Sequence, residues 1–151
     1  MSAVDSVHLI RRVAASPEQV FAAWTNAALL RRWLAAKAEA DARLGGRFRL
    51  EVAKPEGSHI VTGEYRELVR NRRLVMTWDY EGPMAPSGTM EALLTVDLHP
   101  DGPNTEITLH HEHLSNPTYR ETIEKGAWAK ALDQMEVVLS EPGQAADKAR
   151  A

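Results

Sequence analysis

From Arg47 to His113 the chain runs through five successive segments that alternate apolar and polar residues, and after Pro117 the period becomes helical up to about Ser140. A period of two sends every second side chain to one face of a strand, and consecutive strands joined by short turns pair antiparallel. The segments are Arg47–Val52, His59–Val69, Leu74–Tyr80, Met90–Leu98 and Thr105–His111. Turn signals separate them: Pro55-Glu56-Gly57-Ser58, Arg70-Asn71-Arg72-Arg73, a longer loop from Gly82-Pro83 to Ser87-Gly88, and Pro100-Asp101-Gly102-Pro103. Ahead of this meander, residues 6–13 read as a first strand. Ser16-Pro17-Glu18 then opens a helix with an N-cap serine and a proline at its first position. Asn26 ends that helix and caps a second short one carrying Leu29, Leu30, Trp33 and Leu34. The helix expected over 117–140 carries Ile123, Ala127, Ala131, Met135 and Val138 in one stripe.

The order strand, two short helices, meander, long helix leaves one way to bury the sheet. A curved antiparallel sheet of about six strands needs its concave face covered, and only the C-terminal helix is long enough to cover it. The expected fold is therefore α+β, in one domain spanning 1–151 with its core at about 6–140 and a flexible tail over 141–151. A length of 151 residues suits a single domain that buries a real core. The chain holds no cysteine, which excludes disulfides, thiolate metal sites and a cysteine nucleophile. Eighteen basic against 21 acidic residues give a net charge of −3, so nucleic acid is not an expected partner. No signal peptide or membrane-length apolar run is visible, and the expected location is cytoplasmic.

Several stretches together resemble the START-like (SRPBCC) helix-grip superfamily, and within it the family named for the activator of heat shock protein 90 ATPase, in its small bacterial form. They are Pro17–Thr25, Arg32-Trp33-Leu34, Leu44-Gly45-Gly46-Arg47-Phe48, Gly63–Leu68 with Arg73–Trp78, Thr105–Glu112, and Gly126-Ala127-Trp128. The resemblance covers about residues 7–140. It implies a ligand cavity between sheet and helix for lipid-like, polyketide-like or other apolar molecules, and it raises a chaperone-linked stress role as an alternative.

The expected cavity wall combines Trp33, Phe48, Met76, Trp78, Met90, Leu94 and Leu109 from helix and sheet. Facing them on the C-terminal helix are Ile123, Ala127, Trp128 and Ala131, whose two alanines leave room that leucine would fill. Tyr65 and His111 are the expected polar groups that orient a ligand. The ordinary alternative, a packed core, explains the same alternation. His111 and His113 share a strand face in this reading, with His110 opposite, but a metal site needs more ligands than these provide. No cofactor or metal is expected. Glu64, Glu67, Tyr65, Asp79 and His111 are the only candidates for catalysis, and no catalytic motif surrounds them. The leading expectation is non-catalytic binding of an apolar or aromatic small molecule. A chaperone-associated protein acting through Arg70, Arg72 and Arg73 is the second, and a cyclase- or hydrolase-like enzyme the third. An exposed strand edge allows a homodimer.

Overall fold

The computed structural model describes residues 6–84 and 92–141. The expected inward position of Met90 and the expected tail beyond Glu141 lie outside the described residues. Seven antiparallel strands form one sheet: β1 (Val7–Val13), β2 (Lys37–Ala40), β3 (Arg47–Lys54), β4 (Gly57–Val69), β5 (Arg73–Glu81), β6 (Ala92–Asp101) and β7 (Asn104–Glu112). Their spatial order is β1-β7-β6-β5-β4-β3-β2, so β3 to β7 is the expected meander and β1 closes its far side. The strand beyond the expected six is β2, a four-residue edge strand paired with β3.

The inward face follows the period of two. Leu74, Met76, Trp78 and Tyr80 are all buried, as are Thr105, Ile107, Leu109 and His111. Gly63 stands opposite Phe48 in the β3–β4 register, and a Cβ there would lie 2.5 Å from the Phe48 ring and 2.0 Å from the Thr77 carbonyl oxygen. The missing side chain leaves the space that the Phe48 ring occupies. At the β4–β5 turn Asn71 takes a left-handed backbone (φ 61°), a conformation asparagine tolerates better than most residues.

Helix α1 (Pro17–Thr25) begins with a reciprocal cap: the Gln19 amide donates to Ser16 Oγ at 3.2 Å, and the Ser16 amide to Gln19 Oε1 at 3.0 Å. Asn26 serves two helices. Its amide donates to Ala22 at the end of α1, and its side chain accepts from Ala28 and Leu29 at the start of α2 (Ala27–Trp33). That junction sets Trp33 edge-on to Trp24, ring centroids 4.9 Å apart.

The C-terminal helix departs from expectation. In place of one continuous helix over 117–140 the chain forms α3 (Pro117–Thr122), a π turn (Ile123–Ala127) and α4 (Trp128–Leu139). Gly126 causes the break: its φ of 110° is unavailable to an ordinary helix residue. Beyond the break, Leu132, Met135, Val138 and Leu139 of α4 are buried in the core. Ala14 donates its amide to Glu136, and Arg11 pairs with Asp133, so α4 is also tied to the N-terminal strand. Among the described residues no helix is long and apolar enough to cross a membrane.

Candidate functional site: a cavity between the sheet and the broken helix

A cavity of about 670 Å³ lies where the helix stands off the sheet. Its floor comes from β3, β4 and β5 through Leu50, Val61, Trp78 and Tyr80. Its roof comes from α3, the π turn and α4 through Tyr119, Ile123, Ala127, Trp128 and Ala131. Leu34 and Ala35, just after α2, complete one side. The volume falls within the range of small-molecule sites, and the walls are mostly aromatic and aliphatic.

Four aromatic side chains fix the shape. The Trp78 and Trp128 rings lie 5.3 Å apart, and Tyr119 stacks on Tyr80 at 4.3 Å. The Trp78 indole N–H donates to the Tyr119 hydroxyl at 2.9 Å, which locks a sheet residue to a helix residue across the cavity. Asn116 holds Tyr119 from the other direction, accepting from its backbone amide at 2.9 Å as the N-cap of α3. Burial pushes the Tyr119 phenol up to about 12, against the opposing pull of the bond from Trp78.

Of the residues expected at the site, Trp78, Ile123, Ala127, Trp128 and Ala131 line this cavity. Trp33, Phe48, Met76, Leu94 and Leu109 are buried in the surrounding core and are not among its lining residues. Neither expected polar group lines it. The Tyr65 hydroxyl donates to the Trp24 carbonyl at 3.4 Å, inside the core. His111 is fully buried and accepts at Nδ1 from the Trp128 indole at 3.1 Å, so it supports a lining residue from outside the cavity. His113 does not share its face: β7 ends at Glu112 and His113 turns into a left-handed conformation with φ 60°. No group of three or more metal-ligating side chains occurs among the described residues.

The polar residues that line the cavity include Tyr80, His59, Glu56 and Lys54 from the sheet side, and Tyr119 with the two threonines of α3 from the helix side. Val61 pairs with Tyr80 in the β4–β5 register, which makes His59, two residues away on the same face, the diagonal neighbour of Tyr80. His59 Nδ1 lies 2.6 Å from the Tyr80 hydroxyl, and its Nε2 lies 2.9 Å from Glu56 Oε2. The bond to His59 holds the Glu56 carboxyl below its usual range, while burial raises Tyr80. Tyr80 continues the alternation of the segment Leu74–Tyr80, whereas His59 meets it only through the pairing of β4 with β5. Tyr119 carried no signal beyond its place three residues after the capping asparagine.

A family model described as Activator of Hsp90 ATPase homolog 1-like protein matches residues 14–140. The chain belongs to that family. Solved structures agree with this Hsp90-activator-like assignment in fold. A protein from Rhodobacter sphaeroides superposes with a TM-score of 0.73 at 27% identity, over 92% of this chain and 94% of its own. PFC0360w, an HSP90 activator from Plasmodium falciparum, does so with a TM-score of 0.67 at 25% identity, over 91% and 98%. DynU16, from the dynemicin biosynthetic locus, shares the fold at 18% identity and a TM-score of 0.73, over 89% of this chain and 47% of that one. No curated protein matches the chain in sequence.

Proposed function

We propose that this Hsp90-activator-like domain binds an apolar or aromatic small molecule between the β3–β5 sheet face and the broken C-terminal helix. The observation that carries the reading is the cavity itself, about 670 Å³ walled by Trp78, Trp128 and Tyr119, with the small Ala127 and Ala131 where a leucine would fill the space. A ligand there gains contact area from rigid rings and orientation from the few hydroxyls around them. Native mass spectrometry of the purified protein, with uptake of the neutral fluorophore N-phenyl-1-naphthylamine, tests it. A co-purifying small molecule that heating displaces, or saturable fluorophore uptake, supports the reading. A bare chain that takes up no fluorophore overturns it.

A second reading, a chaperone-associated protein, is favoured by the similarity to the Plasmodium falciparum HSP90 activator over nearly all of both chains. It requires a docking surface, and arginines at the β4–β5 turn and its flanks supply charge there. Stimulation of a purified Hsp90 ATPase by the intact domain is the measurement that separates the two.

A further inference from the structure

At one end of the cavity the hydrogen-bond directions can be worked out from the chemistry of the groups. The Glu56 carboxylate only accepts, so His59 Nε2 carries the hydrogen between them. In the neutral ring Nδ1 is then the acceptor, and the Tyr80 hydroxyl donates to it across 2.6 Å. The Tyr80 oxygen keeps its lone pairs for a further donor, taking one long bond of 3.4 Å from the Met84 amide. A phenol so engaged presents an electron-rich oxygen to the cavity, with an imidazole and a carboxylate lined up to receive its proton. Lys54 lines the same end and brings a cation toward it. On the neighbouring stacked ring, the Tyr119 oxygen already accepts from Trp78, so its own hydrogen is the part left for an acceptor.

We propose that Glu56, His59 and Tyr80 form a proton-accepting subsite that selects ligands carrying a weakly acidic hydroxyl, a phenol or an enol, on an otherwise apolar body. This rests on the cavity being a ligand site. The ligand hydroxyl donates to the Tyr80 oxygen. When its proton transfers, the Tyr80 proton passes to His59 Nδ1, and the resulting imidazolium is paired with Glu56 while the ligand oxygen takes the negative charge. No proton leaves or enters the assembly, and Lys54 and the Tyr119 hydroxyl stabilise the anion. The arrangement follows the logic of a nucleophile–histidine–carboxylate triad, with a tyrosine oxygen at the receiving end.

Two probes of similar size separate the subsite from the cavity: 4-nitrophenol, whose absorbance reports its ionisation, and 4-nitrotoluene, which has no hydroxyl. The wild type is expected to bind 4-nitrophenol at least about tenfold more tightly than 4-nitrotoluene, the effect of one well-made hydrogen bond to a charged network. The bound phenol is expected to show the phenolate band at a pH where the free compound is protonated. Tyr80→Phe and His59→Gln should each remove both the preference and the band. Glu56→Gln, at the outer end of the hydrogen-bonded series, should weaken both while leaving the Tyr80–His59 contact in place. Thermal midpoints of the three variants within a few degrees of wild type report that they are folded. Equal affinity for the two nitro compounds, or a preference that survives both Tyr80→Phe and His59→Gln, overturns the subsite and leaves the cavity standing. Failure of the wild type to take up the fluorophore overturns the cavity reading and the subsite with it.

Discussion

The Trp128 indole donates to Nδ1 of His111 across 3.1 Å, so the roof of the cavity is fastened to β7 through a fully buried histidine. Trp78 lies edge-on to the same imidazole at 5.5 Å and tilted against Trp128 at 5.3 Å. The histidine is the point on which both rings rest.

That position makes His111 a source of acid sensitivity. Burial, and then the charge of His110, push it down to about 3 from an ordinary 6.5. Between those values the unfolded chain binds a proton that the native one refuses, so stability falls as the pH drops from about 6.5 toward 3. The slope from this one group is about 1.4 kcal/mol per pH unit. Urea midpoints measured across that window should fall more steeply for wild type than for His111→Gln, which keeps an acceptor for Trp128 and does not titrate. Parallel curves would show that His111 contributes nothing to the dependence.

Filling the cavity should separate ligand uptake from stability. Ala131 lines the roof, and Ala131→Trp places an indole in the open volume. Fluorophore affinity is expected to fall by at least about tenfold, with the thermal midpoint within a few degrees of wild type. Retained affinity would place the bound molecule elsewhere.

Gly63 tolerates no side chain. With a Cβ 2.0 Å from the Thr77 carbonyl oxygen and 2.5 Å from the Phe48 ring, Gly63→Ala should cost about 2–3 kcal/mol in denaturant unfolding. The displaced ring stands 5.9 Å from Trp78, so the same change should also disturb the cavity floor.

At Gly126 the constraint is conformational, because a Cβ there would meet no atom within 4 Å. Gly126→Ala is nonetheless expected to destabilise by about 1 kcal/mol, since its φ of 110° disfavours any L side chain. Calorimetry showing no loss would mean that the helix straightens through this point.

Surface charge gives a control. Arg73 is engaged with Asp97 at 2.7 Å and with Glu67 at 3.2 Å, so reversing it disturbs the sheet as well as the surface. Arg70 and Arg72 lie on the exposed turn. The double change Arg70→Glu with Arg72→Glu should shift stability by no more than about 0.5 kcal/mol and leave fluorophore uptake unchanged. Lost uptake would tie ligand binding to this surface.

Alternation made the inward faces of the meander legible, because polar residues at every second position of β7, and of β5 apart from Val75, leave one choice of burial. It says which face a side chain occupies and nothing about where along the sheet the helix lifts away. Tyr65 and His111 are therefore inward, as read, yet set in the core, while Tyr80 reaches the open end. His59 joins Tyr80 only through a diagonal in the pairing of two strands, a relation invisible until the register is known. β2 was missed because Lys37-Ala38-Glu39-Ala40 is a short edge strand whose inward residues are alanines. The apolar stripe runs straight through Gly126, so periodicity alone saw one helix, and the glycine itself was the signal of a break.

The strand order has a consequence for synthesis. Val7 pairs with His111 and Val13 with Thr105, while Arg11 and Ala14 also bond to α4. On the ribosome the first strand emerges roughly a hundred residues before its partners, with its inward residues lacking a surface to bury against. Release of the last helix lets that side of the sheet close. Of the seven described strands, β1 is made ahead of the others yet cannot pair until β7 is made.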